Sequence, residues 1–183
     1  MSRIFLIGFP GCGKSTYGKK LSAKLHLSFI DLDTAFEQKY RISVEDFFAK
    51  YGEDAYRLCE HEVLLNAVEN DDVLISCGGG TPCFFNHIDL MKGKGVVVYL
   101  QMSVASIVNR LTHAKRVRPL VKNLSPAGLE QYVSENMKIR GPIYEQAHLS
   151  VKAESPDVEV LAVQLMEIIK ESKTVEYAEN IAD

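Results

Sequence analysis

The chain has 183 residues, 46% of them hydrophobic and 25% charged, with a formal net charge of -3. That length suits one domain with a full hydrophobic core, and the slight acidity lacks the basic footprint of a nucleic-acid or anionic-membrane binder. No apolar run is long enough to span a bilayer and no signal peptide is recognised, so a cytoplasmic protein is expected.

The first predicted strand, Arg3–Ile7, runs into Gly8-Phe9-Pro10-Gly11-Cys12-Gly13-Lys14-Ser15, and a helix is predicted over Ser15–Leu25. This matches G-x-x-x-x-G-K-[ST] at every fixed position, in the strand–loop–helix setting the pattern requires. Such a loop turns its backbone N–H groups inward as an anion nest at a helix N-terminus. Lys14 would reach the β- and γ-phosphates of a bound nucleotide, and the Ser15 hydroxyl would ligate Mg²⁺. Cys12 sits inside the loop. It is either a small filler or a thiol whose modification would impair nucleotide binding. With Cys59, Cys77 and Cys83 it forms no C-x-x-C pair and no zinc-type spacing, so four free thiols are expected.

A second strand, Ser28–Ile30, leads into Asp31-Leu32-Asp33 and a helix over Asp33–Tyr40. Strand alternation would put both carboxylates on one side, facing the ligand crevice at the strand's C-terminal end. Asp31 would hold Mg²⁺ through water, and Asp33 would accept a hydroxyl proton. A helix cap is the simpler role for Asp33, and it is compatible with catalysis.

Helices are predicted over Val44–Tyr51 and Glu53–Glu69. In the second, Ala55, Leu58, Cys59, Val63 and Leu65 supply an apolar face, and Arg57 falls on the polar side. Strand Val73–Ser76 runs into Cys77-Gly78-Gly79-Gly80, where the glycines allow close backbone approach to a ligand. Helix Phe84–Met91, strand Val96–Leu100 and helix Val104–Thr112 follow. The strands at Val73 and Val96 are continuously apolar, as in a sheet buried on both faces. Residues 113–125 break the pattern with Lys115, Arg116, Arg118, Pro119 and Lys122; such a segment is either a solvated charged loop or a mobile lid over phosphates, and beside a phosphate loop the lid is expected. Helix Pro126–Ile139, strand Leu149–Val151 and helix Pro156–Glu171 close the domain, and a polar, acidic tail over 173–183 is expected to fray. Arg57 and Arg140 carry forks that bind a carboxylate in bidentate fashion, though each taken alone reads as a surface ion pair. The strand–helix alternation predicts an α/β fold with a parallel sheet covered on both faces.

Taken in order, these motifs resemble shikimate kinase. The residues that carry the resemblance are the loop Gly8–Thr16, Asp31 and Asp33, Phe48, the segment Gly52–Arg57, Gly78–Gly80, Arg110, Arg118-Pro119-Leu120, and Arg140 with Pro142 and Tyr144. The resemblance spans about Arg3 to Lys170. It implies one domain over 1–172 with a three-layer α/β/α phosphate-loop fold, a five-stranded parallel sheet of the nucleoside-monophosphate-kinase type and a mobile lid. It implies transfer of the γ-phosphoryl of ATP to the 3-hydroxyl of shikimate, in the chorismate route to aromatic amino acids, by a cytoplasmic monomer. Asp33, Arg57, Gly79, Gly80 and Arg140 would hold shikimate, with Phe48 and Tyr56 in the pocket wall. Gly11, Cys12, Gly13, Lys14, Ser15 and Thr16 would cradle ATP, Ser15 and Asp31 would hold Mg²⁺, Arg118 would reach the phosphates and Arg110 the adenine. Cys12, Tyr56 and the arginine-free segment Lys152–Pro156 depart from the family pattern. The alternatives are a gluconate kinase of the same fold, or a nucleotide-binding switch without transferase activity; the latter lacks an N-K-x-D guanine-reading motif here.

Overall fold

A computed structural model of the chain describes residues 2–113, 124–154 and 157–182. The strands are β1 (Arg3–Ile7), β2 (Ser28–Asp31), β3 (Val73–Ser76), β4 (Val96–Gln101) and β5 (Leu149–Lys152). They form one parallel sheet in the order β2-β3-β1-β4-β5, with Phe5 of β1 beside Ile75 and Val97. The side chains of β3 are all buried, and of β1 and β4 only Arg3 and Gln101 are not, whereas the edge strand β5 alternates in exposure. Central strands therefore read as unbroken apolar runs, because helices cover both of their faces.

The helices are α1 (Lys14–Leu25), α2 (Leu32–Tyr40), α3 (Val44–Val68), α4 (His87–Lys94), α5 (Val104–Thr112), α6 (Pro126–Tyr144) and α7 (Val158–Ala182). Four differ clearly from the expected boundaries, and one of them, α6, runs past its expected end at Ile139 to Tyr144, carrying Arg140 and Pro142 inside the helix. The two helices predicted on either side of Gly52 follow one another without a loop, joined at a kink where Gly52 takes φ 81°, ψ 177°. A side chain would resist that conformation, and glycine accepts it. The helix predicted from Phe84 begins at His87, after a 3₁₀ turn over Thr81–Cys83. Helix α7 continues to Ala182, through the segment expected to fray; no glycine or proline interrupts it after Val158. The predicted lid residues 114–123, Arg118 among them, and Pro156 lie outside the described residues.

The apolar face expected on α3 is also misplaced. Leu58 and Leu65 are exposed, and the face toward the core carries Tyr56, Arg57, Glu60, Val63, Leu64 and Ala67. Because every strand is parallel, the segments that follow β1, β2 and β3 all emerge at one end of the sheet. There they bring together the phosphate-loop sequence, the acid pair and the glycine run.

Candidate active site

The loop after β1 ends at Gly13, the N-cap of α1, in the left-handed region at φ 96°. Helices α2, α3, α5 and α6 are capped by Asp31, Ser43, Ser103 and Ser125 side chains, but α1 has no side-chain cap. Its first-turn N–H groups therefore remain available to an anion, and the dipole of the helix adds to the attraction. They border a pocket lined by Gly11, Lys14, Ser15, Thr16, Asp31 and Asp33. Lys14 is buried, and its Nζ donates to Gly8 O at 2.8 Å and Phe9 O at 3.1 Å, which holds the ammonium inside the loop. Cys12 is buried, with Sγ 3.8 Å from the Lys14 Nζ.

The acid pair reaches the pocket by a different route from the one strand alternation predicts. Asp31 ends β2 and caps α2, its Oδ1 accepting from Thr34 N at 3.2 Å. The cap is thus Asp31 rather than Asp33. Asp33 lies in the first turn of α2, and that turn swings its carboxylate to the same pocket.

A second cavity adjoins the first, and Asp33, Gly78 and Gly79 line both. Its walls include Phe9, Phe48, Tyr56, Arg57, Gly80 and Arg140. Arg57 does not lie on a solvated face. It is 7% exposed, stacks over Phe84 at 4.3 Å, and donates through Nη1 to Glu60 at 2.7 Å and through Nη2 to Glu53 at 2.8 Å. Burial alone would lower its pKa, but the Glu60 charge and the hydrogen bonds to Glu53 and Glu60 outweigh burial and raise it. Arg140, inside α6, lies over the Phe9 ring at 5.9 Å and supplies a second guanidinium to the cavity. A Cβ on Gly80 would fall 2.5 Å from Arg57 Nη2, so only glycine permits this approach. The Tyr144 hydroxyl donates to Gly79 O and ties α6 to the glycine run.

Two guanidinium groups, a carboxylate and aromatic walls, set beside an uncapped helix N-terminus with a buried lysine, suit transfer from a nucleotide to an anionic acceptor. A family model described as shikimate kinase matches residues 10–170. The chain belongs to the shikimate kinase family. It is 40% identical to the shikimate kinase of Parabacteroides distasonis, over 92% of this chain and all of that one. Its fold is similar to the crystal structure of shikimate kinase from Bacteroides thetaiotaomicron, at TM-score 0.85, 33% identity and coverage of 92% and 98% of the two chains. It is likewise similar to shikimate kinase from Acinetobacter baumannii in complex with shikimate, at TM-score 0.82, 30% identity and coverage of 94% and 95%. As a shikimate kinase, the chain phosphorylates shikimate with ATP in aromatic biosynthesis. This removes both alternatives, the gluconate kinase and the non-catalytic switch.

The residues expected to serve a shikimate kinase come together with few exceptions. Gly11, Gly13, Lys14, Ser15 and Thr16 line the first pocket, and Asp33, Arg57, Gly79, Gly80 and Arg140 line the second. Arg110 stands on the far side of the loop, donating to Cys12 O and Ala153 O, each at 3.1 Å, at a third pocket that includes Cys12 and Tyr17. Arg118 lies outside the described residues.

Sequence reasoning missed Glu60 and Thr81. Glu60 is 2% exposed and receives Arg57, the Thr81 hydroxyl at 2.5 Å and the Tyr56 hydroxyl at 3.3 Å. The available signal was spacing, since Glu53, Arg57 and Glu60 stand four and three residues apart on one helix and so share a face. Nothing in the sequence says that this face is the buried one.

Proposed function

We propose a division of labour in which shikimate occupies the cavity of Arg57 and Arg140 and ATP lies along the phosphate loop. The observation that carries it is the shared wall. Asp33, Gly78 and Gly79 border both pockets, so an acceptor hydroxyl beside Asp33 would face a γ-phosphoryl group held by Lys14. Arg57 and Arg140 would grip the shikimate carboxylate, with Phe48 and Tyr56 walling the ring. Glu53 and Glu60 fix the Arg57 fork before substrate arrives, which lowers the ordering cost of binding. Asp33 would accept the proton of the 3-hydroxyl as that oxygen attacks phosphorus. The uncapped N–H groups of α1 and the Lys14 ammonium would balance the phosphate charge. Arg118 would join them, as the resemblance implies, and Arg110 would contact the base side of the nucleotide.

The donor set at Ser15, Asp31 and Asp33 is all oxygen, with two carboxylates, which fits Mg²⁺ better than a softer metal. Ser15 and Asp31 would hold it, and it would supply charge neutralisation at the phosphates. We place the enzyme in the cytoplasm as a monomer, on the family resemblance.

The test is ADP release from ATP and Mg²⁺, with shikimate or gluconate as acceptor, in the natural chain and in Asp33→Asn. Turnover should depend on shikimate alone. Asp33→Asn should lower kcat by about 100-fold or more while its melting temperature stays close to the natural one. Near-normal turnover would remove Asp33 as the base.

A further inference from the structure

The glycine run that walls the shikimate cavity is anchored from behind by two histidines that no step above uses. His87, in the first turn of α4, is completely buried. Its Nδ1 lies 2.8 Å from Thr81 O, and its Nε2 lies 2.7 Å from Nδ1 of His61 on α3. The two ring planes lie within 10° of one another, edge to edge, as an in-plane N–H···N bond requires. A carbonyl oxygen only accepts, so His87 Nδ1 carries a proton and donates it to Thr81. Burial is the largest influence and lowers the His87 pKa; the bond to Thr81 O opposes it without reversing it, and the lesser influences of His61, Glu60 and Arg57 leave the pKa lowered. The ring is therefore neutral near pH 7, Nε2 accepts, and His61 Nδ1 donates.

The connection continues toward the cavity. The Thr81 hydroxyl donates to Glu60 Oε1 at 2.5 Å, and Glu60 Oε2 accepts from Arg57 Nη1 at 2.7 Å. Thr81 belongs to a tight turn closed by Thr81 N to Gly78 O at 3.2 Å and Cys83 N to Gly80 O at 2.8 Å. The chain accepts backbone strain to seat His87 here. Phe85 and Asn86, neither of them glycine, take φ 49° and 57° in succession, and Phe85 packs on His61 with ring centroids 4.9 Å apart. Consecutive left-handed residues persist only where the surroundings enforce them.

We propose that His87, held by His61, is a positioning residue for shikimate. It fixes the Gly78–Cys83 turn and, through Thr81 and Glu60, the guanidinium of Arg57. The proposal rests on the placement of shikimate in the Arg57–Arg140 cavity. Its effect falls chiefly on the acceptor side: Gly78 and Gly79 border both pockets, but Gly80 and Arg57 line the acceptor cavity and not the phosphate pocket, and nucleotide would be held mainly by the loop after β1.

The test compares KM for shikimate and for ATP in His87→Ala, His87→Asn and His61→Ala, with Arg140→Ala as reference. An asparagine amide can replace Nδ1–H as donor to Thr81 O. Loss of one buried donor predicts that His87→Ala raises the shikimate KM roughly threefold to tenfold and leaves the ATP KM within about twofold. His87→Asn should restore the shikimate KM, and His61→Ala should raise it by a smaller factor. An unchanged shikimate KM in His87→Ala, an equal rise in both KM values, or a folded His87→Asn that fails to restore would overturn the proposal. If His87→Ala does not fold, His61→Ala carries the test alone, and an unchanged shikimate KM there overturns it. An unchanged shikimate KM in Arg140→Ala would instead reject the placement of shikimate on which the proposal rests.

Discussion

Replacing Gly80 by alanine adds one methyl group at a crowded point of the Arg57–Arg140 cavity. Gly80 has φ −93° and ψ −18°, a conformation open to alanine, so the backbone contributes little to the effect. The methyl carbon would fall 2.5 Å from Arg57 Nη2 and 2.8 Å from both Cζ and Nη1. Ordinary contact begins near 3.4 Å, so the fork would have to retreat by about 0.9 Å. It has nowhere suitable to go: Glu53 and Glu60 hold it at 2.8 and 2.7 Å, and Phe84 covers its face. A retreat of that size stretches the Glu60 bond beyond hydrogen-bonding range. Losing a buried charge-assisted bond and misplacing the fork costs about 2–4 kcal/mol. The expected result is a roughly 30- to 1000-fold rise in the shikimate KM, with the ATP KM nearly unchanged. Steady-state ADP release at varied shikimate and varied ATP measures both. A shikimate KM within about twofold of the natural value, in a variant of unchanged melting temperature, would refute the steric argument and the role of Arg57 with it.

Arg140→Ala should raise the shikimate KM by roughly 30-fold or more while ATP binding, measured by titration calorimetry, stays intact; equal losses for both ligands would contradict this. Stability should fall as the pH drops from 7 toward 5. Burial lowers the pKa of His87 and of His148, which accepts from Val97 N at 2.9 Å. Below about 6.5 the unfolded histidines take up protons that the folded ones refuse, so acid favours unfolding until the depressed folded values are reached. His148→Asn should flatten the dependence of melting temperature on pH, and a flat profile in the natural protein would count against both assignments. Cys12, 2% exposed, should react with a maleimide more slowly than the partly exposed Cys59. Mass spectrometry showing equal rates would mean that the loop opens readily.

The phosphate loop was legible because its chemistry is local. The glycine spacing, the lysine and the helix start are contiguous, and one strand–loop–helix unit suffices to build them. The sheet was legible for a similar reason: unbroken apolar runs at Val73–Ile75 and Val96–Leu100 suit strands covered on both faces. The acid pair was also found, although the geometry that unites it is a helical turn rather than strand alternation.

The cavity of Arg57 and Arg140 was decided by packing. The apolar pattern put Arg57 on the wet side of α3 and Leu58 and Leu65 inside, the reverse of what is observed. A short segment with charges on several faces has no unique inner side by periodicity, and burying the Arg57–Glu60 pair is tolerable only where partners complete its bonds. Those partners, Thr81, Tyr56 and the Phe84 ring, come from elsewhere on α3 and from the turn after β3. His61 and His87, 26 residues apart, meet only because α3 and α4 pack against the same turn. Sequence thus determined the nucleotide chemistry and the kind of fold, through contiguous residues. Tertiary structure alone decided that the Arg57–Glu60 face is the buried one and that Thr81 and Phe84 complete it, because those two residues come from another segment that no local pattern links to α3.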